Sequence, residues 1–203
     1  MRIALYGATG MVGSRIAKEA LTRDHEVTAI SRSGGDVPDG SHQRIGDAAD
    51  GDDVARIASE HDVVISAIAP SRTGGRHEVF LHGLATLGEN VGTRRLIVVG
   101  GAGSLLVAPG LRLLDAPGFP EAAKPEALTQ LAALELLKDT GALLDWVYVS
   151  PAPFIAPGER RGTYRVGTDM VLGDQISAED FAIAIVDEVE RPKHHRSSFP
   201  VAW

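Results

Sequence analysis

Arg2-Ile3-Ala4-Leu5-Tyr6-Gly7-Ala8-Thr9-Gly10-Met11-Val12-Gly13 passes from a short apolar run, through three glycines, into a helical pattern. A buried strand ending in such a turn makes specific physical demands. Gly7 allows a tight exit from the strand. Gly10 lets the backbone approach an anion with no Cβ in the way, and Gly13 lets the new helix pack against the strand. The unpaired N–H groups at the start of that helix face the anion. The spacing is G-x-x-G-x-x-G, not the G-x-G-x-x-G of the dehydrogenase fingerprint. Placed after a first strand and ahead of a second, it reads as a turn that holds a pyrophosphate. Thr9, Met11 and Val12 belong to the same cradle.

Working outward, short β-branched runs alternate with longer amphipathic segments, the pattern of repeated βαβ units and a parallel sheet. Strands are predicted over 2–6, 26–30, 43–45, 62–68, 95–99 and 146–149. Helices are predicted over 11–23, 52–60, 77–87 and 125–140. Val63-Val64-Ile65 and Leu96-Ile97-Val98-Val99 are continuous apolar runs, as in strands buried on both faces. Pro125 suits a first helical turn and Gly141 a stop. Ser177 is the expected N-cap of a last helix over 178–190, a short strand is expected near 164–166, and 199–203 closes the sheet.

These signals predict an α/β protein with a Rossmann-type, doubly wound parallel sheet in one domain, 1–203. Residues 1–149 form the dinucleotide-binding core, and 150–203 supply substrate-side loops, the last helix and the last strand. Two irregular stretches, 100–123 and 150–173, follow strand C-terminal ends, where ligands bind in open α/β sheets.

Composition narrows the function. The 203 residues include 44% hydrophobic and 23% charged residues, and the formal net charge is −7. An acidic surface repels phosphate backbones, so nucleic acid is not an expected partner. With no cysteine there is neither disulfide framework nor thiolate chemistry, which fits a cytoplasmic location. The first residues lack the apolar length of a secretory signal. The longest uncharged stretch, 96–111, holds four glycines and a proline and is too short to span a membrane. No metal site is expected. In His77-Glu78-Val79-Phe80-Leu81-His82 the second histidine is one residue late for H-E-x-x-H, and no G-x-S-x-G elbow occurs.

Cofactor choice is written at the end of the second strand. An NAD site carries an acid there for the ribose 2′-hydroxyl. Here the segment reads Ile30-Ser31-Arg32-Ser33-Gly34-Gly35, with no acid before Asp36. The Arg32 guanidinium and the Ser31 and Ser33 hydroxyls suit a 2′-phosphate, so NADP(H) is favoured over NAD(H).

Several segments together resemble the atypical short-chain dehydrogenase/reductases. They are 7–13, Gly46-Asp47, 98–104, 150–154 and 176–180. More narrowly, 100–104 with Pro109-Gly110 and Lys124-Pro125-Glu126 is similar to the bacterial NADH-flavin reductase group, related to biliverdin reductase B/flavin reductase and to NmrA-like proteins. The resemblance runs nearly end to end. It implies that Asp47 lies beside the adenine, where a turn-forming aspartate is an equal reading, and that Ala67, Ile68 and Ala69 flank the adenosine and ribose. It also implies that Gly101, Ala102, Gly103 and Ser104 lie on the nicotinamide side, with Pro151, Ala152, Pro153 and Phe154 edging the nicotinamide or substrate pocket.

One departure decides the chemistry. The wider family uses Tyr-x-x-x-Lys, yet Tyr6, Tyr148 and Tyr164 are followed four residues later by Gly10, Ala152 and Thr168. Reducing a ketone creates an alkoxide and needs a placed proton donor. A flavin or quinone spreads the incoming charge over a conjugated ring, so stacking and alignment suffice. The expectation is an NADPH-dependent reductase of a flavin-like or quinone-like acceptor, with FMN or FAD as substrate rather than tightly bound cofactor. Ser104 and Lys124 are the candidate catalytic helpers. The competing readings are a non-catalytic NADP(H) sensor of NmrA type and, less favoured, a small-carbonyl reductase or sugar-nucleotide epimerase.

Overall fold

A computed structural model describes residues 1–71 and 75–203. It contains the strands β1 (Arg2–Tyr6), β2 (Glu26–Ser31), β3 (His42–Ile45), β4 (Val63–Ser66) and β5 (Arg95–Val99). These are followed by β6 (Leu106–Ala108), β7 (Leu111–Arg112), β8 (Trp146–Pro151), β9 (Phe154–Ala156), β10 (Arg165–Val166), β11 (Gln175–Ser177) and β12 (Ser197–Ala202). The helices are α1 (Met11–Thr22), α2 (Gly51–Glu60), α3 (His77–Asn90), α4 (Lys124–Lys138) and α5 (Ala178–Glu190).

The main sheet has the order β10-β12-β8-β5-β4-β1-β2-β3. Every pairing in it is parallel except β10 with β12. Strand alternation divides the core in two. Ile3 and Leu5 point into one layer with Ile16 of α1 and Phe181 and Ile185 of α5. Ala4 and Tyr6 point into the other with Ile57 of α2, Leu84 of α3 and Leu134 of α4. Each fully buried aliphatic side chain contributes roughly 1.5–3 kcal/mol, so both layers resist being opened. The chain is a single-domain Rossmann-like α/β fold.

Differences from the sequence pattern are local. β4 stops at Ser66 rather than 68, and Ala67 makes one last bond to the Tyr6 carbonyl before turning away. The stretch 100–123, expected to be irregular, carries the β6–β7 hairpin and three single 3-10 turns. Within 150–173, β9 runs parallel to β11, which pins this late loop to the start of α5. There Ser177 caps the helix, its Oγ accepting from Asp180 N–H at 3.0 Å.

Candidate functional site

The strand order reverses between β1 and β4, and a crevice opens at that switch point beside the strand C-termini. The cavity there has a volume of about 1230 Å³. Its floor is the first turn. Gly7 has φ +80°, and a Cβ on it would stand 2.7 Å from the Ala67 carbonyl oxygen. A Cβ on Gly13 would be 2.1 Å from the Gly7 carbonyl oxygen, so the α1–β1 approach demands glycine. Gly10 is the N-cap of α1 and supplies no side-chain cap. The first N–H groups of α1 are therefore left facing the crevice, as an anion requires. This uncapped, side-chain-free helix start fits the pyrophosphate of a nicotinamide dinucleotide.

The cavity wall gathers most of the residues singled out from the sequence. Gly7, Thr9, Gly10, Met11 and Val12 lie together with Ser31, Arg32 and Ser33 from the end of β2 and with Asp47 after β3. Ala67, Ile68 and Ala69 come from the end of β4, Gly101, Ala102 and Gly103 from the end of β5, and Pro151, Ala152 and Pro153 from the end of β8. Four other residues lie off the wall. Gly13 is packed beneath the turn. Phe154, on β9, is 62% exposed and points elsewhere. Ser104 closes a 3-10 turn behind the wall, and the Lys124 ammonium is held at 2.5 Å by Glu121, one turn before it. Short-range ion pairing at the start of α4 thus competes with any role of Lys124 in the cavity.

Arg32 also borders a second, smaller groove of about 520 Å³ with Asp47, Asp50, Asp52, Asp53 and Arg56. Three of those acids are engaged. Asp50 caps α2, Asp53 pairs with Arg56 at 2.5 Å, and Asp47 accepts from Ala49 N–H. Arg32 is exposed and has no ion pair among the described residues.

Three features of the site were missed by sequence reasoning. Tyr6 lines the cavity with a buried hydroxyl that has no partner among the described residues. Burial, reinforced by Asp53, pushes its pKa up beyond the ordinary tyrosine range. Gln130 of α4 lines the far wall beside Gly101. Tyr148 of β8 is fully buried, and its hydroxyl accepts from Gly101 N–H at 3.0 Å while lying 3.0 Å from both oxygens of Gln130. Burial raises the Tyr148 pKa as well, so the phenol stays neutral and keeps the proton it shares with Gln130.

The same cavity is lined by Val79 and Phe80 of α3 and by Leu113, Pro117, Phe119, Pro120, Ala127 and Ile155, with Arg76 and Glu126 as the charged residues beside them. A glycine-lined phosphate turn and an apolar chamber thus share one crevice.

Residues 7–192 match the model of the family described as NAD(P)H-binding. The chain belongs to that family, within the atypical short-chain dehydrogenase/reductase group. Membership of an NAD(P)H-binding family supports a nicotinamide dinucleotide as the cofactor. The protein YwnB of Bacillus subtilis (strain 168), itself uncharacterized, is 37% identical over 214 residues, spanning 99% of this chain and 98% of its own. A crystal structure of a candidate exported protein from Burkholderia pseudomallei is 41% identical with TM-score 0.89, covering 100% of both chains. A candidate NADH-flavin reductase from Streptococcus pneumoniae TIGR4 is 33% identical with TM-score 0.89, covering 100% of this chain and 99% of its own. Among the described residues no helix is long and apolar enough to cross a membrane.

Proposed function

We propose that this oxidoreductase-family chain uses NADPH to reduce a flat conjugated acceptor, a flavin or a quinone, and that it works in the cytoplasm. The observation that carries the reading is the continuity of the phosphate turn with the apolar chamber. The cavity of about 1230 Å³ exceeds the roughly 300–1,000 Å³ of an ordinary small-molecule pocket, which leaves room for a second ring beside the dinucleotide. Bound NADPH supplies the hydride. The chain's own part is to hold the phosphates at the start of α1, to exclude water with Phe80, Leu113 and Phe119, and to align the acceptor ring. No Tyr-x-x-x-Lys couple exists to protonate an alkoxide, and that argues for a ring that needs none.

The preference for NADPH rests on Arg32, the exposed cation where the adenosine end of the cleft meets the acidic groove. Steady-state NADPH oxidation with FMN, a naphthoquinone and a small ketone tests the acceptor, and Arg32→Ala tests the cofactor. Turnover is expected with a ring acceptor and not with the ketone. Arg32→Ala is expected to weaken NADPH by about 1.5–3 kcal/mol and to leave NADH nearly unchanged. Turnover of the ketone alone overturns the acceptor reading. NADPH binding with no turnover of any acceptor replaces it with the sensor reading.

A further inference from the structure

The buried residues of α4 are Thr129, Gln130, Ala133, Leu134 and Leu137, and within that stripe Gln130 holds a position that packing alone would give to an apolar side chain. It is 6% exposed and lines the cavity. Gly101 makes room for it, since a Cβ there would stand 3.3 Å from Gln130 Cβ and Cγ. The Tyr148 hydroxyl lies 3.0 Å from Gln130 Oε1, and the same hydroxyl is fixed by Gly101 N–H. Nε2 makes no hydrogen bond among the described residues, and the side chain that carries it is on the cavity lining. A buried carboxamide is costly unless both ends find partners. Here the protein occupies the oxygen end and leaves the N–H end in the cavity, next to the apolar chamber.

We propose that Gln130 Nε2 donates a hydrogen bond to a carbonyl oxygen of the acceptor ring, and that Tyr148 is the positioning residue that turns the amide toward it. This rests on the flavin or quinone reading of the site and selects, within it, rings that carry a carbonyl next to the reducible centre. Reduction of a quinone to its hydroquinone consumes one hydride, from NADPH, and one proton. The carboxamide keeps its own proton, so that proton comes from solvent. The amide acts on the charge that gathers at the carbonyl oxygen as the hydride arrives, where a preorganised donor gains strength.

The experiment separates this inference from the reading beneath it. The wild type is titrated with FMN by flavin fluorescence, and with a naphthoquinone by calorimetry, with NADP⁺ present so that no turnover occurs. Whichever ring binds is then used with the variants, each checked by circular dichroism. Gln130→Met, which lacks the donor, is expected to weaken the ring roughly 3–10-fold, the worth of one neutral hydrogen bond. Gln130→Glu, titrated at a pH high enough to ionise the buried carboxyl, still accepts from Tyr148 but offers no donor, and is expected to lose at least as much, so it carries the test should the methionine variant fail to fold. Tyr148→Phe is expected to fall between wild type and Gln130→Met, and NADP⁺ affinity is expected to hold in all three. In infrared difference spectra the bound ring's carbonyl stretch should rise in frequency when Gln130 is replaced. Wild-type ring affinity and an unmoved carbonyl band in both Gln130 variants overturn the assignment while leaving the acceptor class standing. A wild type that binds neither ring overturns both.

Discussion

A methyl group added at Gly10 would meet only the Gly7 carbonyl oxygen, at 3.3 Å, and otherwise the open cleft. The same group at Gly13 would sit 2.1 Å from that oxygen, inside the closest contact between α1 and β1. The two glycines of one motif therefore do different things: Gly13 serves the fold, and Gly10, in the proposed reading, serves the ligand. Gly10 has φ −75°, which any residue adopts, so Gly10→Val is expected to fold with unchanged circular dichroism. Its branched side chain would occupy phosphate space, and NADPH binding is expected to be lost. Calorimetric titration of the folded variant checks this, and unchanged affinity removes the phosphate assignment of the turn. Gly13→Val is the contrasting control, expected to fail at the level of stability.

Between elements, α1 and α5 are joined by charge as well as by the apolar layer. Glu19 of α1 is 6% exposed and is held by Arg23 at 2.8 Å and by Arg160 of the late loop at 2.9 Å. Arg23 also reaches Asp187 and Glu190 of α5, and Tyr164 donates to Asp187. Burial alone would raise the Glu19 carboxyl, but hydrogen bonds from Arg160 and Arg23 outweigh it and hold the group below its ordinary value. Asp187 is lowered in the same way, burial being outweighed by Tyr164 and Arg23. A carboxylate lowered on folding stabilises the native state above its unfolded pKa. That contribution is lost as pH falls through the folded value. The melting temperature is therefore expected to hold down to about pH 5 and to drop below about pH 4. Glu19→Gln should flatten this acid limb and cost about 1–3 kcal/mol at pH 7, as for a hydrogen bond to a charged group. Denaturant melts from pH 3 to 8 test it, and an acid limb identical in both proteins sinks the assignment.

At the scale of the molecule, the crevice lies where the two halves of the sheet meet, β1-β2-β3 on one side and β4-β5-β8-β12 on the other. A dinucleotide there would touch the ends of both halves, which links its binding to the stability of the whole domain. NADPH at about 100 times its dissociation constant stabilises the native state by about 2.7 kcal/mol. For a chain of this size that is expected to raise the melting temperature by about 5–10 °C. Differential scanning calorimetry with and without NADPH measures the shift. A folded protein whose melting temperature NADPH does not move would show that the crevice is not its site.

What the sequence determined by itself is the part governed by neighbours in the chain. Gly7 takes a positive φ at the strand exit and Gly13 clears the Gly7 carbonyl six residues earlier, the continuous apolar runs within 2–6 and 95–99 report strands buried on both faces, and Ser177 three residues before Asp180 marks a helix start. All of this is legible because each cause lies next to its effect. Ser104 ends a 3-10 turn off the cavity wall, and Lys124 pairs with Glu121, three residues before it. Gln130 had a local signal, a polar residue in an apolar helical stripe, but nothing local says what such a residue faces. Its partner Tyr148 is 18 residues after it, and Gly101 is 47 residues before Tyr148. Only the pairing of β5 with β8, and the packing of α4 across their ends, brings the three together. A hydrogen-bonded cluster of that kind depends on strand register and helix packing at once, and no short stretch of the chain encodes either alone.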